Sequence, residues 1–228
     1  MSALQENPVA LAQLLRLASP MLPVGAYSYS QALEWAVEKE VVHDENSALN
    51  WIEDCLRFNI GTFEAPAWAH LYRAWEVRDT QAACKWNLRF LATRESAEFR
   101  AETLHMGNAL VAVLDSTREI DLAELVALNT PAFPAAFSFA AQRLGVPLQE
   151  GLTAYLWAWA ENQVSAAMKL VPLGQSSGQR ILVRLIAALP AIVRDAIQAQ
   201  EKTLSNFAPA LAIASSRHET QYTRLFRS

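Results

Sequence analysis

Residues 150–189 read EGLTAYLWAWAENQVSAAMKLVPLGQSSGQRILVRLIAAL, and this stretch decides the fold. Nearly every residue from Leu152 to Ala160 is apolar, so a helix here is buried on most sides rather than along one stripe. Polar residues then enter the same run. Glu161, Ser165 and Lys169 recur at i, i+4 and i+8 and lie on one line, with Asn162 beside it. A buried helix with such a line either satisfies it internally or presents it to another molecule. Pro172 and Gly174 stop the helix. Ser176 or Ser177 is placed to cap a second one, which runs through Ile181, Leu182, Leu185 and Ile186. The stretch reads as a core helical hairpin.

Working outward, the composition agrees. The chain has 228 residues, 52% hydrophobic and 18% charged, enough to build a large core. Seven glycines are few for a sheet protein with many tight turns, so helices are favoured. A net charge of −4 argues against nucleic-acid binding through bulk electrostatics. No apolar run approaches the ~20 residues of a membrane span, and no basic segment precedes the first apolar run as in a signal peptide. Cytoplasmic location is the expectation, with Cys55 and Cys84 as buried thiols.

Upstream, helices are predicted over Val9–Ala18, from Ser30 to about Val37, and over Glu45–Phe58, Phe63–Glu76, Asp79–Leu91 and Arg94–Leu114. Pro20, Pro23 and Gly25 interrupt regular structure after the first of these, in SPMLPVGAYSYS. Ser28 or Ser30 caps the next helix, and Asp79 caps the fifth. Gly107 costs its helix about 1 kcal/mol against alanine, which marks a close helix contact. Asp121 caps a short helix to Leu128, and another spans Ala135–Leu144. Pro190 is expected to break or kink the second arm of the hairpin before Ala191–Gln200. No alternating pattern or internal repeat occurs. The fold class is all-α, a single-domain helical bundle of nine or ten helices over residues 1–228. A short N-terminal segment (1–8) and a tail (209–228), set off by Pro209, are expected to order on a partner.

Local catalytic motifs are missing. The four histidines, His43, His70, His105 and His218, have no partner at i+4, and there is no HExxH or CxxC. Neither a phosphate-binding GxxxxGK[ST] loop nor GxGxxG nor GxSxG is present. The tail, by contrast, mixes arginines with Tyr222 and Phe226, the composition of an interface hot spot. The Tyr27–Ser30 run reads either as capping and loop packing or as a contact surface on a rigid loop.

Four segments carry a wider resemblance: LLRLASPMLPVGAYSYSQALEWAVE, RAETLHMGNAL, TAYLWAWAENQVSAAMKLVPLGQSSGQRIL and SSRHETQYTRLFRS. In this order, from Leu14 to Ser228, they resemble the UreF family of urease accessory proteins. The family's usual second glycine after LPVG is Ala26 here. The resemblance implies an all-α, non-catalytic protein without a cofactor or metal of its own. It implies a homodimer that bridges a UreD-like (also called UreH-like) scaffold and the nickel-binding GTPase UreG, coupling GTP hydrolysis to nickel insertion into apo-urease. Partner contacts are carried onto Pro23, Gly25, Tyr27, Ser28 and Glu34 in the first segment. In the third they fall on Lys169, Gln175, Gln179 and Arg180, and in the last on Arg217, His218, Glu219, Gln221, Tyr222, Arg224, Phe226 and Arg227.

The alternative function class is a metallochaperone or enzyme that itself binds nickel through His and Cys. Three structural expectations are added. Lys169 either pairs internally with Glu161 or Glu34, or meets an acidic partner. The dimer forms partly through the helices flanking Gly107 or through residues 131–145, and removing residues 217–228 leaves folding nearly unchanged.

Overall fold

Helix α9 (Leu148–Leu170) is the axis of the molecule: it touches α1 (Pro8–Ala18), α2 (Leu33–Glu38), α3 (Glu45–Cys55), α4 (Ala65–Glu76), α8 (Phe133–Arg143) and α10 (Gln175–Gln198). The computed structural model describes residues 7–228, so residues 1–6 of the expected N-terminal segment lie outside the described residues. The other helices are α5 (Thr80–Ala92), α6 (Ala97–Thr117), α7 (Ala123–Val126) and α11 (Pro209–His218), and no strand occurs among the described residues. The all-α expectation holds.

Local chemistry sets several of the helix starts. Asn7, Asp44, Asp79 and Ser96 each cap a helix by accepting an N–H two or three residues in, from Ala10, Ser47, Ala82 and Phe99. At α10 the expected serine cap is absent. The helix begins one residue after Gly174, and neither Ser176 nor Ser177 caps it. Pro190 does not break α10 either. It is exposed within a continuous helix, where its missing N–H leaves a carbonyl on the exposed face for water to satisfy.

The two helices predicted over 45–58 and 63–76 form one rod. A π-helical stretch, Leu56–Glu64, joins α3 to α4 without a gap. Gly61 allows it: an added Cβ would lie 2.9 Å from the Leu56 carbonyl oxygen and 3.0 Å from Ile192 of α10. Such a wide turn shifts the register of the following residues, and it ends on Glu64, whose carboxylate is buried.

The core lies between α4, α8 and α9. Trp68 stacks on Tyr72 at 5.5 Å, Phe137 meets Tyr155 edge-on at 5.2 Å, and Gly151 brings α9 against Trp68. Gly107 performs the same task between α6 and the start of α8, since a Cβ there would sit 2.1 Å from the Pro131 carbonyl oxygen. The 130–133 segment is held in place by Asn87, which donates to Thr130 O and accepts from Ala132 N. The Gly107 contact and α8 are thus used inside the chain, whereas the outer face of α6, with His105, Asn108 and Ala112, is exposed. Every residue of α8 from Pro134 to Ala141 is buried.

Candidate functional site

The site is assembled where the first and last parts of the chain meet. Gly25 takes a left-handed conformation (φ +78°) and turns the loop after α1 into a short 3-10 turn over Ala26–Ser28. Ala26 is the first residue of that turn and has no need of the family's second glycine. Gln31 and Ala32 are also left-handed, at φ +52° and +65°. Two successive non-glycine residues in that region are strained, and surrounding contacts hold them there. Gln31 bridges two elements: its amide nitrogen donates to Glu102 Oε1 (2.7 Å) and its oxygen accepts from Trp159 Nε1 (2.8 Å).

The tail fastens onto this loop. Arg227 N donates to Ser28 O at 2.9 Å, and Ser228 O accepts from both the N–H and the hydroxyl of Ser30. Glu34, buried on the first turn of α2, accepts the backbone N–H groups of Leu225 (2.6 Å) and Phe226 (2.9 Å). Its carboxylate also meets His218 Nε2 at 3.2 Å. His218 is fully buried, and its other ring nitrogen meets Glu98 at 2.6 Å. Arg224 closes the chain of contacts onto Glu98, also at 2.6 Å. Glu219 accepts from Ala97 N, placing a carboxylate at the N-terminus of α6 where the helix dipole favours it. Ser96 and Ser215 join hydroxyl to hydroxyl.

Of the expected partner-contact residues, the structure therefore brings Ser28, Glu34, His218, Glu219, Arg224, Phe226 and Arg227 to one place. Several serve as internal structure. Glu34, His218 and Phe226 are buried, so their side chains are not surface contacts in this fold. Tyr27, Arg217, Tyr222 and Arg227 are exposed around them, with Leu225, and Gln221 is half-buried. Lys169 pairs with neither Glu161 nor Glu34. Its exposed ammonium lies 5.5 Å over the Phe226 ring, a cation–π contact that ties α9 to the tail. Gln175, Gln179 and Arg180 are exposed on the first turns of α10. Arg180 is committed to Glu45 of α3 by two hydrogen bonds (2.6 and 2.7 Å), which hold the Glu45 carboxyl down to about 2. Pro23 is exposed on the loop beside Gly25.

Several residues that complete the site carried no separate signal. Glu98, Glu102 and Arg94 stand in or beside RAETLHMGNAL, yet nothing in their spacing announces a common role. Arg94 and Glu64 form a buried ion pair at 3.1 Å, and Tyr155 donates to the same carboxylate at 2.5 Å. Burial beside Glu64 drives the Tyr155 hydroxyl well above its ordinary range. Glu64, Arg94, Glu102, Tyr155 and Asn162 line a cavity of about 360 Å³ that opens beside the 17–27 loop. Asn162 of the polar line is satisfied there by Tyr29 O (3.0 Å).

Among the described residues no group of three or more His, Cys, Asp or Glu side chains is placed to hold a metal ion. Burial pushes the Cys55 thiol up to about 12, which keeps it protonated and a poor metal ligand. No described helix is long and apolar enough to cross a membrane.

Comparison with known proteins decides what the site belongs to. The UreF family model matches residues 42–186. The urease accessory protein UreF of Azoarcus sp. (strain BH72) is 54% identical over 226 residues, covering 96% of this chain and 95% of that protein. The UreF of Methylobacillus flagellatus is 50% identical, covering 96% and 98%. The chain belongs to the UreF family. Within this UreF-family chain the model match takes in α9, the PLGQ turn and Glu102, while the near full-length relatives extend the likeness toward both ends. A third relative has another layout. The bifunctional urease accessory protein UreEF of Bordetella bronchiseptica is 46% identical over 224 residues, and these make up 52% of its length. As a UreF-family member, the chain is a non-catalytic accessory protein of urease maturation.

Proposed function

We propose that this UreF-family protein acts as an adaptor, docking a UreD/UreH-like scaffold through its tail surface and a UreG-like nickel-binding GTPase beside the end of α9. In this reading it couples GTP hydrolysis to nickel insertion into apo-urease. The observation that carries the proposal is the division of labour in the site. A frame of buried Glu34, His218 and Ser228 with half-buried Glu98 fixes the tail, and on it stand the exposed Tyr27, Arg217, Tyr222, Leu225 and Arg227. Arginine and tyrosine on a pre-ordered mount are the anchors that protein interfaces favour, because little entropy is lost in fixing them. The UreEF relative lends support, since its name joins a UreF portion to a second accessory protein in one chain.

Lys169 is the residue to test. It is exposed, so reversing its charge gives up the cation–π contact with Phe226 but leaves no buried charge unpaired. Lys169→Glu is expected to fold and to lose no more than about 1 kcal/mol, the worth of an exposed cation–π contact. It is expected to lose co-purification with the UreG-like GTPase and to lose urease activation in cells. A variant that still retains the GTPase and matures urease removes Lys169 and the α9 end from the interface.

A further inference from the structure

Three glutamates hold the tail, and they are not alike. Glu34 faces two backbone N–H groups and His218, and Glu98 faces His218 and Arg224. Glu102, on the next turn of α6, is buried, and its hydrogen bonds come from neutral groups alone. Gln31 Nε2 donates to Oε1 at 2.7 Å, and the Ser228 hydroxyl donates to Oε2 at 2.7 Å. The nearby charges are engaged elsewhere. Arg94 is paired with Glu64, Tyr155 donates to Glu64, and the Tyr29 hydroxyl lies between His105 Nδ1 (3.2 Å) and the Arg227 guanidinium.

We propose that Glu102 and Ser228 form a proton-controlled latch, in which protonated Glu102 holds the end of the tail against α2 and α6 and loss of the proton releases it. A neutral carboxyl keeps both contacts, since its O–H donates to Ser228 Oγ while its carbonyl oxygen accepts from Gln31. A bare carboxylate in the same place is cut off from water with no cation bonded to it, and opening the tail relieves that. Burial accordingly lifts the Glu102 carboxyl to about 7, against the opposing pull of the Gln31 and Ser228 hydrogen bonds.

The sign follows from linkage. The closed form binds the proton more tightly than an opened form in which water reaches the carboxylate. Closure is therefore fully favoured below the ordinary carboxylate range, loses ground as pH rises from there, and has lost the proton's contribution once pH has passed about 7. The left-handed Gln31 and Ala32 add a spring, because the Glu102–Gln31 bond is one of the contacts restraining them. The latch is a property of the chain alone and does not rest on which partner the tail meets.

Glu34, Glu98, His105 and His218 are further ionisable groups around the tail, so pH dependence by itself does not identify the latch; the comparison with Glu102→Gln does. Hydrogen-exchange protection factors, corrected for intrinsic rates, would be measured for the Leu225, Phe226 and Arg227 amides of the full chain. Between about pH 6 and about pH 8 the parent's protection is expected to fall roughly tenfold. In Glu102→Gln, which keeps the size and neutral bonding of the protonated acid, protection is expected to stay at its low-pH level. The same fall in Glu102→Gln, or no fall in the parent, overturns the latch. Ser228→Ala supplies an independent readout if the glutamine variant misfolds. Its tail protection at about pH 6 is expected to drop toward the parent's value at about pH 8, and parent-like protection overturns the proposal equally.

Discussion

At the scale of single residues, what a glycine faces decides its worth. Alanine at a helix position gains about 1 kcal/mol over glycine. At Gly107 that gain meets backbone, with Pro131 O at 2.1 Å and Ala132 C at 3.0 Å from the new Cβ. Neither atom moves without shifting the segment that Asn87 pins. Overpacking of this kind costs about 1–3 kcal/mol or more, so the clash wins. At Gly178 the nearest atom is Met168 Sδ, at 2.4 Å, the far end of a flexible side chain that can swing aside. Gly107→Ala is thus expected to lower the melting temperature by several degrees, and Gly178→Ala to leave it within about 2 °C. Thermal unfolding of the two variants side by side checks this, and equal melting points would show that the α6–Pro131 contact has slack.

At the scale of elements, the tail is the part whose role changed most between sequence and structure. Its composition suggested a segment ordered by a partner, whose removal would leave folding nearly unchanged. In the structure its first half is α11, with Pro209 at the first helical position rather than breaking a preceding helix. Its second half supplies the donors for Glu34 and Glu102. Deleting residues 217–228 therefore strands buried carboxylates, each worth about 1–3 kcal/mol when left unsatisfied and partly relieved by incoming water. The truncated chain is expected to lose about 2–4 kcal/mol in urea unfolding. Unchanged stability would mean that these carboxylates are already hydrated. Any loss of scaffold binding on truncation must accordingly be separated from lost stability, which exposed-residue variants such as Tyr222→Ala do cleanly, Tyr222 being fully exposed.

At the scale of the whole molecule, α10 presents an unpartnered apolar stripe. Val183 (64% exposed) and Ile186 (48%) lie one turn apart, with the exposed Pro190 one turn further on. With α8 buried inside the chain and the exposed face of α6 carrying His105, Asn108 and Asp115, we propose this apolar stripe as the contact of a two-fold dimer, the commonest closed symmetry. Light scattering at micromolar concentration is expected to give twice the chain mass, and Val183→Glu with Ile186→Glu is expected to give a monomer of unchanged helix content. A double variant that stays dimeric places the contact elsewhere.

The sequence by itself determined the helical class, most of the helix starts and the central place of residues 150–189. Those rest on apolar periodicity and on caps such as Asp79, whose side chain accepts from Ala82 N, all within a few residues of one another. It also carried the family, because four ordered segments are specific without any folding argument. Where a local rule failed, the competing term was tertiary. Gly61 packs against α10 and allows the π stretch, and the exposed side of α10 tolerates Pro190. The site itself was decided by the tertiary structure alone. His218 meets Glu98 across 120 positions, Phe226 meets Glu34 across 192, and Ser30 meets Ser228 across 198. Spacing along the chain encodes which face of a helix a residue occupies, and no more. Which carboxylate receives which donor is settled only when packing brings the two ends of the chain together and burial forbids leaving either one unpaired.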